Sequence, residues 1–156
     1  MATMTTTTVR RLGPSRVPGQ VVPSALGLLD QARRGLQEAA GLAVPAERYA
    51  TAHLAALRSA AAVLAARTRP VDTRLRRRRP TSAWVLLTEV APELGEWAAF
   101  FAAGAAKRAA AEAGVTRAVT AREADDLVRD AGTFLALAET TLGLVPSLPL
   151  GAPRAG

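Results

Sequence analysis

The sequence predicts an all-α fold, an up-and-down bundle of four to five helices. Three observations lead there. Apolar residues make up 49% of the 156 positions while aromatics make up only 4%, so alanine supplies much of the apolar content. Alanine favours helix and lets helices approach closely. Apolar side chains recur at helical spacing over several long stretches, and no alternating run of strand length occurs. Pro falls between those stretches or at their starts rather than inside them.

The longest stretch is Pro45–Arg67, uninterrupted by Gly or Pro after its first residue. Tyr49, Ala56, Leu57, Ala60, Val63 and Leu64 make its stripe. Pro45 suits a first helical position and Glu47 the positive end of the helix dipole. The stretch also holds the chain's single histidine, His53. Ahead of it, a first helix is expected from an N-cap at Ser24 to Ala40, stopped by Gly41. Leu26, Leu29, Ala32, Leu36 and Ala40 form its inner face. The short turn 41–44 makes these two helices antiparallel neighbours.

Ser82 or Thr81 caps a short third helix, with Trp84, Leu87 and Val90 inward. A fourth restarts at Pro92 and is expected to run unbroken to Ala113, stopped by Gly114. Its stripe is Leu94, Trp97, Ala98, Phe101 and Ala105. Thr120 and Glu123 form a capping box that opens the fifth helix. Ala124, Leu127, Val128, Ala131, Leu135, Ala138 and Leu142 line its core side, and Gly143 ends it. Tyr49, Trp84, Trp97, Phe101 and Phe134 are the expected bulky core. Phe100 lies about 100° from Phe101 on the wheel, so the two cannot point the same way. Either the core stripe is broad or Phe100 lies at a partner surface.

Residues 1–22 and 144–156 lack periodicity and read as a disordered tail and a flexible C-terminal tail around a bundle at 23–143. The segment 68–81 reads as an Arg-rich loop between two prolines. Residues 67–79 hold seven Arg against one Asp, nearly the whole formal charge of +7. A nearly neutral body with one basic connector is therefore expected. Arg74, Arg76, Arg77, Arg78 and Arg79 are candidate phosphate contacts to RNA or DNA. No aromatic is interleaved, so binding would follow the backbone rather than the base sequence. A solvated loop without a ligand is the competing reading.

No cysteine is present, which removes disulfides and thiolate metal sites. One histidine and no converging carboxylates give no expected metal site, and no cofactor is expected. The opening residues lack the apolar core of a signal peptide, and no apolar run of about 18 residues occurs. A cytoplasmic location without a membrane partner is the expectation.

Four stretches, QARRGLQEAAG at 31–41, ERYATAHLAALRSAAAVLAAR at 47–67, SAWVLLTEVAPELGEWAAFFAAGAAKRAAAEAG at 82–114 and VTAREADDLVRDAGTFLALAE at 119–139, together resemble the HEPN superfamily of nucleotide-binding helical domains. They are most similar to a small actinobacterial branch. The series from Trp84 through Pro92-Glu93-Leu94 and Glu96-Trp97 to Phe100-Phe101 carries most of the likeness. The resemblance implies a bundle that often dimerises. It implies one of two activities: a metal-independent ribonuclease, or a non-catalytic partner of RNA, nucleotides or a nucleotidyltransferase.

HEPN ribonucleases carry Arg, four to six residues, then His, and Arg48-Tyr-Ala-Thr-Ala-His53 has that spacing. The resemblance then implies His53 as the base toward an RNA 2′-OH and Arg48 as the clamp on the scissile phosphate. Against this, Tyr49 stands where a polar residue is usual, and the two residues lie about 140° apart on one helix. His53 also falls in the apolar stripe, where a lone imidazole is more often packing. The leading reading is a non-catalytic module that associates with RNA, nucleotides or a partner protein. An endoribonuclease and a homodimeric scaffold pairing through Phe100 are the alternatives.

Overall fold

A computed structural model of the chain describes residues 21–68 and 82–146. Six α-helices and two short 3₁₀ turns make up nearly all of them: α1 (Pro23–Gly41), α2 (Pro45–Arg67), α3 (Ala83–Val90), Pro92–Leu94, α4 (Gly95–Ala103), α5 (Ala105–Glu112), Thr116–Ala118 and α6 (Ala121–Thr141). No strand occurs among the described residues, as the sequence predicts. No helix among them is long and apolar enough to cross a membrane.

α2 is the central element. It packs against α1, α3, α5 and α6, and α1 also touches α6. Arg48 at the start of α2 reaches the first residues of α6, so those two helices run in the same direction. Arg67 at the far end of α2 reaches Val90 and Glu93, and α4–α5 then returns toward Tyr49. The result is an up-and-down bundle of α1, α2, α4–α5 and α6, with α3 laid on its side.

Alanine makes the α1–α2–α6 seam. Ala25, Ala32, Ala39, Ala52, Ala56, Ala60, Ala124, Ala131 and Ala138 are all buried without exposure. Gly35 marks the closest crossing, where a methyl group would come within 3.3 Å of the Ala55 Cβ. The bulk comes from rings. Trp84 stacks on Phe101 at 5.0 Å, and Phe101 meets Phe134 at 5.2 Å. Trp97 closes the cluster from a half-buried position, 6.0 Å from Phe134.

Helix ends follow the sequence with two corrections. Ser82 and the Thr120/Glu123 box cap as expected, and Gly114 and Gly143 end their helices at φ values of +80° and +74°. At both glycines the next amide reaches back five residues along the chain, from Val115 to Ala110 and from Leu144 to Glu139, satisfying carbonyls that would otherwise be orphaned. α1, however, has no Ser24 cap. It starts with Pro23 at its first position, and its inner face runs through Ala25, Leu29, Ala32, Leu36 and Ala39, leaving Leu26 and Ala40 exposed.

The expected fourth helix is also two helices. It breaks at Gly104, whose amide bonds to Phe101 rather than one residue further back. The Tyr49 hydroxyl occupies the space beside it, 3.0 Å from where a Cβ would stand. The break leaves Ala105 exposed instead of in the core stripe.

One buried charge was not anticipated. Glu139 on α6 has no exposure and pairs with Arg33 of α1, whose Nε donates at 2.8 Å. The described residues carry ten Lys and Arg against twelve Asp and Glu. The bundle is therefore close to neutral, with a net charge of −2, and the basic excess belongs to residues outside it.

Two stability measurements check this packing. Arg33→Ala removes the counter-charge of a buried carboxylate and should lower unfolding stability by about 3 kcal/mol, whereas joint replacement of Arg33 and Glu139 by Leu should cost less. Gly104→Ala should destabilise by about 1 kcal/mol despite the better helix former, and Tyr49→Phe should relieve part of that loss in a double-mutant cycle.

Candidate functional site

The two candidate catalytic side chains, Arg48 and His53, sit 1.4 turns apart on α2 and take different neighbours. Arg48 faces the turn between α1 and α2 and the start of α6. Its Nη1 donates to the Leu42 carbonyl at 2.7 Å, and its Nη2 lies 3.5 Å from the Ala121 carbonyl. Its Nε forms an ion pair with Asp125 at 3.0 Å, without the alignment of a hydrogen bond. Only 13% of the side chain is exposed. The guanidinium ties three helix ends together: the end of α1 and the beginnings of α2 and α6.

His53 faces the α3–α4 side and is fully buried. Trp84 and Phe101 meet its ring edge-on at 5.9 and 5.8 Å. Its Nε2 lies 3.1 Å from the Phe101 carbonyl oxygen. A carbonyl can only accept, so Nε2 carries the proton and the hydrogen bond assigns the tautomer. Nδ1 is then a bare lone pair, buried and without a partner among the described residues.

Burial is the main cause of a pKa below the usual 6.5 for His53. The Phe101 hydrogen bond opposes that shift, and the nearby Arg108 charge adds to it. The ring is held as the neutral imidazole.

Tyr49, one turn before His53, packs its hydroxyl against Gly104. Burial is the largest influence on its phenol and raises its pKa. Lys107 lowers it and Glu123 raises it. Lys107 and Glu123 form an ion pair, and Glu123 also accepts from the Thr120 amide at 2.8 Å as part of the capping box. The α2–α5–α6 corner is thus a closed set of mutually satisfied groups. No group of three or more His, Cys, Asp or Glu able to hold a metal occurs among the described residues.

Phe100 is 48% exposed, with its edge against Trp97 at 6.0 Å. Arg74, Arg76, Arg77, Arg78 and Arg79 lie outside the described residues. Two features passed unnoticed in the sequence. Glu139 lies four residues after Leu135 and so on the inner stripe of its helix, where an acidic residue signals a buried pair. Gly104 interrupts an alanine run and marks the place where Tyr49 approaches.

A model of the SAV_6107-like HEPN family matches residues 39–139, which is more than half of the chain. Neither the comparison with curated proteins nor that with solved structures gives a match.

The buried ring makes a pH prediction. His53 is the chain's only histidine, so it dominates titration between about pH 5 and 7. Its folded pKa is lowered, so below about 6.5 the unfolded chain takes up the proton first and stability falls as pH falls toward the folded pKa. Denaturant titrations should lose up to about 1.4 kcal/mol per pH unit in that window. In the His53→Asn variant that slope should largely disappear.

Proposed function

The chain belongs to the SAV_6107-like HEPN family, and from that membership we propose that it is a non-catalytic helical module that associates with RNA through the arginines of its 68–81 connector. The observation that carries the reading is the burial of His53. A general base must come within about 3 Å of the proton it removes. Here Nε2–H is committed to the Phe101 carbonyl, and Nδ1 lies inside a cage of rings. Arg48 is likewise engaged with Leu42 and Asp125 rather than turned toward His53.

The charge distribution supports RNA contact away from the bundle. The described body carries no net positive charge to attract phosphates, while residues 69–81 hold six Arg and one Asp. Arg74 and Arg76–Arg79 would bind phosphates through their charge, giving affinity without base selectivity. The rival reading, a metal-independent endoribonuclease using Arg48 and His53, requires the ring to leave its cage and face a composite site.

One experiment separates the two. Mixed RNA incubated with the protein in EDTA should stay intact, with the native chain and with His53→Asn alike. A salt titration of binding should show a steep log–log slope that falls by up to about 3 when Arg76–Arg79 become Ser. Cleavage lost in His53→Asn would establish the enzyme reading, and unchanged affinity in the Ser variant would remove the connector from RNA contact.

A further inference from the structure

α4–α5 and α6 are joined by side chains rather than by close backbone packing. Two contacts fix how they line up. Lys107 of α5 pairs with Glu123 near the start of α6, and the Trp97 ring near the start of α4 lies 6.0 Å from Phe134. The two lengths of chain therefore run antiparallel, with the interval from Lys107 back to Trp97 matched to the interval from Glu123 on to Phe134. That register sets Asp130 of α6 level with Phe100 and Phe101 of α4. Helical spacing puts Asp130 on the same side: it lies two turns after Glu123 and one turn before Phe134, both of which face α4–α5. Phe101 turns into the core. Phe100, one turn after Trp97, stays half-exposed on the flank beside α6.

Trp97 and Phe100, edge to face, form one wall of this notch. Asp130 stands in the other, with Leu137 exposed two turns further along α6. Asp130 is half-buried and makes no hydrogen bond or ion pair with a described residue. The charged groups around it are engaged elsewhere: Glu123 holds Lys107, and Asp126 holds Arg129. The facing stretch 98–106 carries no charge at all. Burial pushes the Asp130 carboxyl above its ordinary pKa, the Arg129 charge lowers it and the Asp126 charge raises it. This carboxylate has lost water on one side without gaining a donor in return, an arrangement that a bound cation would relieve.

We propose that Trp97, Phe100 and Asp130 form a receptor for one arginine side chain of a partner polypeptide. Charge complementarity selects that occupant. A neutral side chain would leave the carboxylate buried and unpaired, and an acidic one or a phosphate would be repelled. A guanidinium supplies both things the notch lacks. Its edge donates hydrogen bonds to the Asp130 carboxylate, and its flat face lies against an aromatic ring. Lysine fits less well, because its compact ammonium holds its water more tightly and has no flat face to stack. The arginine stem lies along the apolar rim, and Leu137 with the alanines of α4 gives the neighbouring residues of the partner a surface to rest on. A single cation in a half-open notch binds weakly by itself, so this contact serves as one anchor within a larger association. The inference does not depend on the RNA-binding reading, since the notch repels phosphate.

The chain has two tryptophans, one in the notch and one buried, so their indole N–H signals in NMR report the site directly. The probes are the capped tripeptide Gly-Arg-Gly and its neutral citrulline counterpart. The arginine peptide should shift the Trp97 signal with saturation in the millimolar range and leave that of Trp84 in place. The citrulline peptide should bind about tenfold more weakly or worse. Asp130→Asn should weaken the arginine peptide by a similar factor while keeping the helical circular dichroism, and Phe100→Ala should weaken it too. Asp30→Asn, an equal loss of charge on α1, should leave the affinity unchanged. A Trp97 signal that the arginine peptide does not move overturns the proposal. So does equal binding of the citrulline peptide, and so does native affinity in Asp130→Asn. Replacing Arg74 and Arg76–Arg79 by Ser, with no peptide added, should leave the Trp97 signal where it is. A shift there would make an arginine of the same chain the occupant and overturn the assignment to a partner.

Discussion

A buried hydrogen bond, from the His53 imidazole to the Phe101 carbonyl, anchors the central helix to the peripheral half of this bundle. It forms where α4 ends, at a carbonyl that also accepts the Gly104 amide at the helix break. Around it the rings of Trp84, Phe101 and Phe134 supply the bulk that an alanine-rich chain otherwise lacks. Tyr49 seals the next turn against Gly104. A buried polar group with a good partner specifies one packing, because any shift leaves it unsatisfied in a dry interior. The α1–α2–α6 seam is smooth alanine and restricts sliding weakly. The imidazole, the aromatic cluster and the Arg33–Glu139 pair fix the register.

Much of the fold was legible because helix periodicity and end signals are local. The capping box at Thr120, the stops at Gly114 and Gly143, and the buried Trp84, Phe101 and Phe134 all follow from residue type and spacing. What was not legible depends on partners distant in sequence. The break at Gly104 is set by Tyr49, which comes from another helix, and propensity alone favoured continuity through the alanines on either side. The burial of Glu139 depends on Arg33, 106 residues earlier. At the candidate site, the sequence offered two open readings of His53. The apolar stripe around it pointed to packing, and the Arg-x4-His spacing pointed to catalysis. Only tertiary placement gives the ring its neighbours.

The charge of the chain divides along the same line as its structure. The helical body is compact, close to neutral and internally paired, whereas the strongly basic character belongs to residues outside the described bundle. Membership in the SAV_6107-like HEPN family leaves the question of catalysis to the local chemistry of Arg48 and His53. In this chain both side chains have the partners of structural groups.

The most direct test of this account is the nitrogen NMR spectrum of the His53 imidazole in the folded chain. The account predicts a neutral ring with its proton on Nε2, slow exchange of that proton with solvent, and no titration until the protein begins to unfold. A ring that exchanges freely and titrates near 6.5 in the native state would contradict it, because such a ring would be open to water and available to act on a substrate.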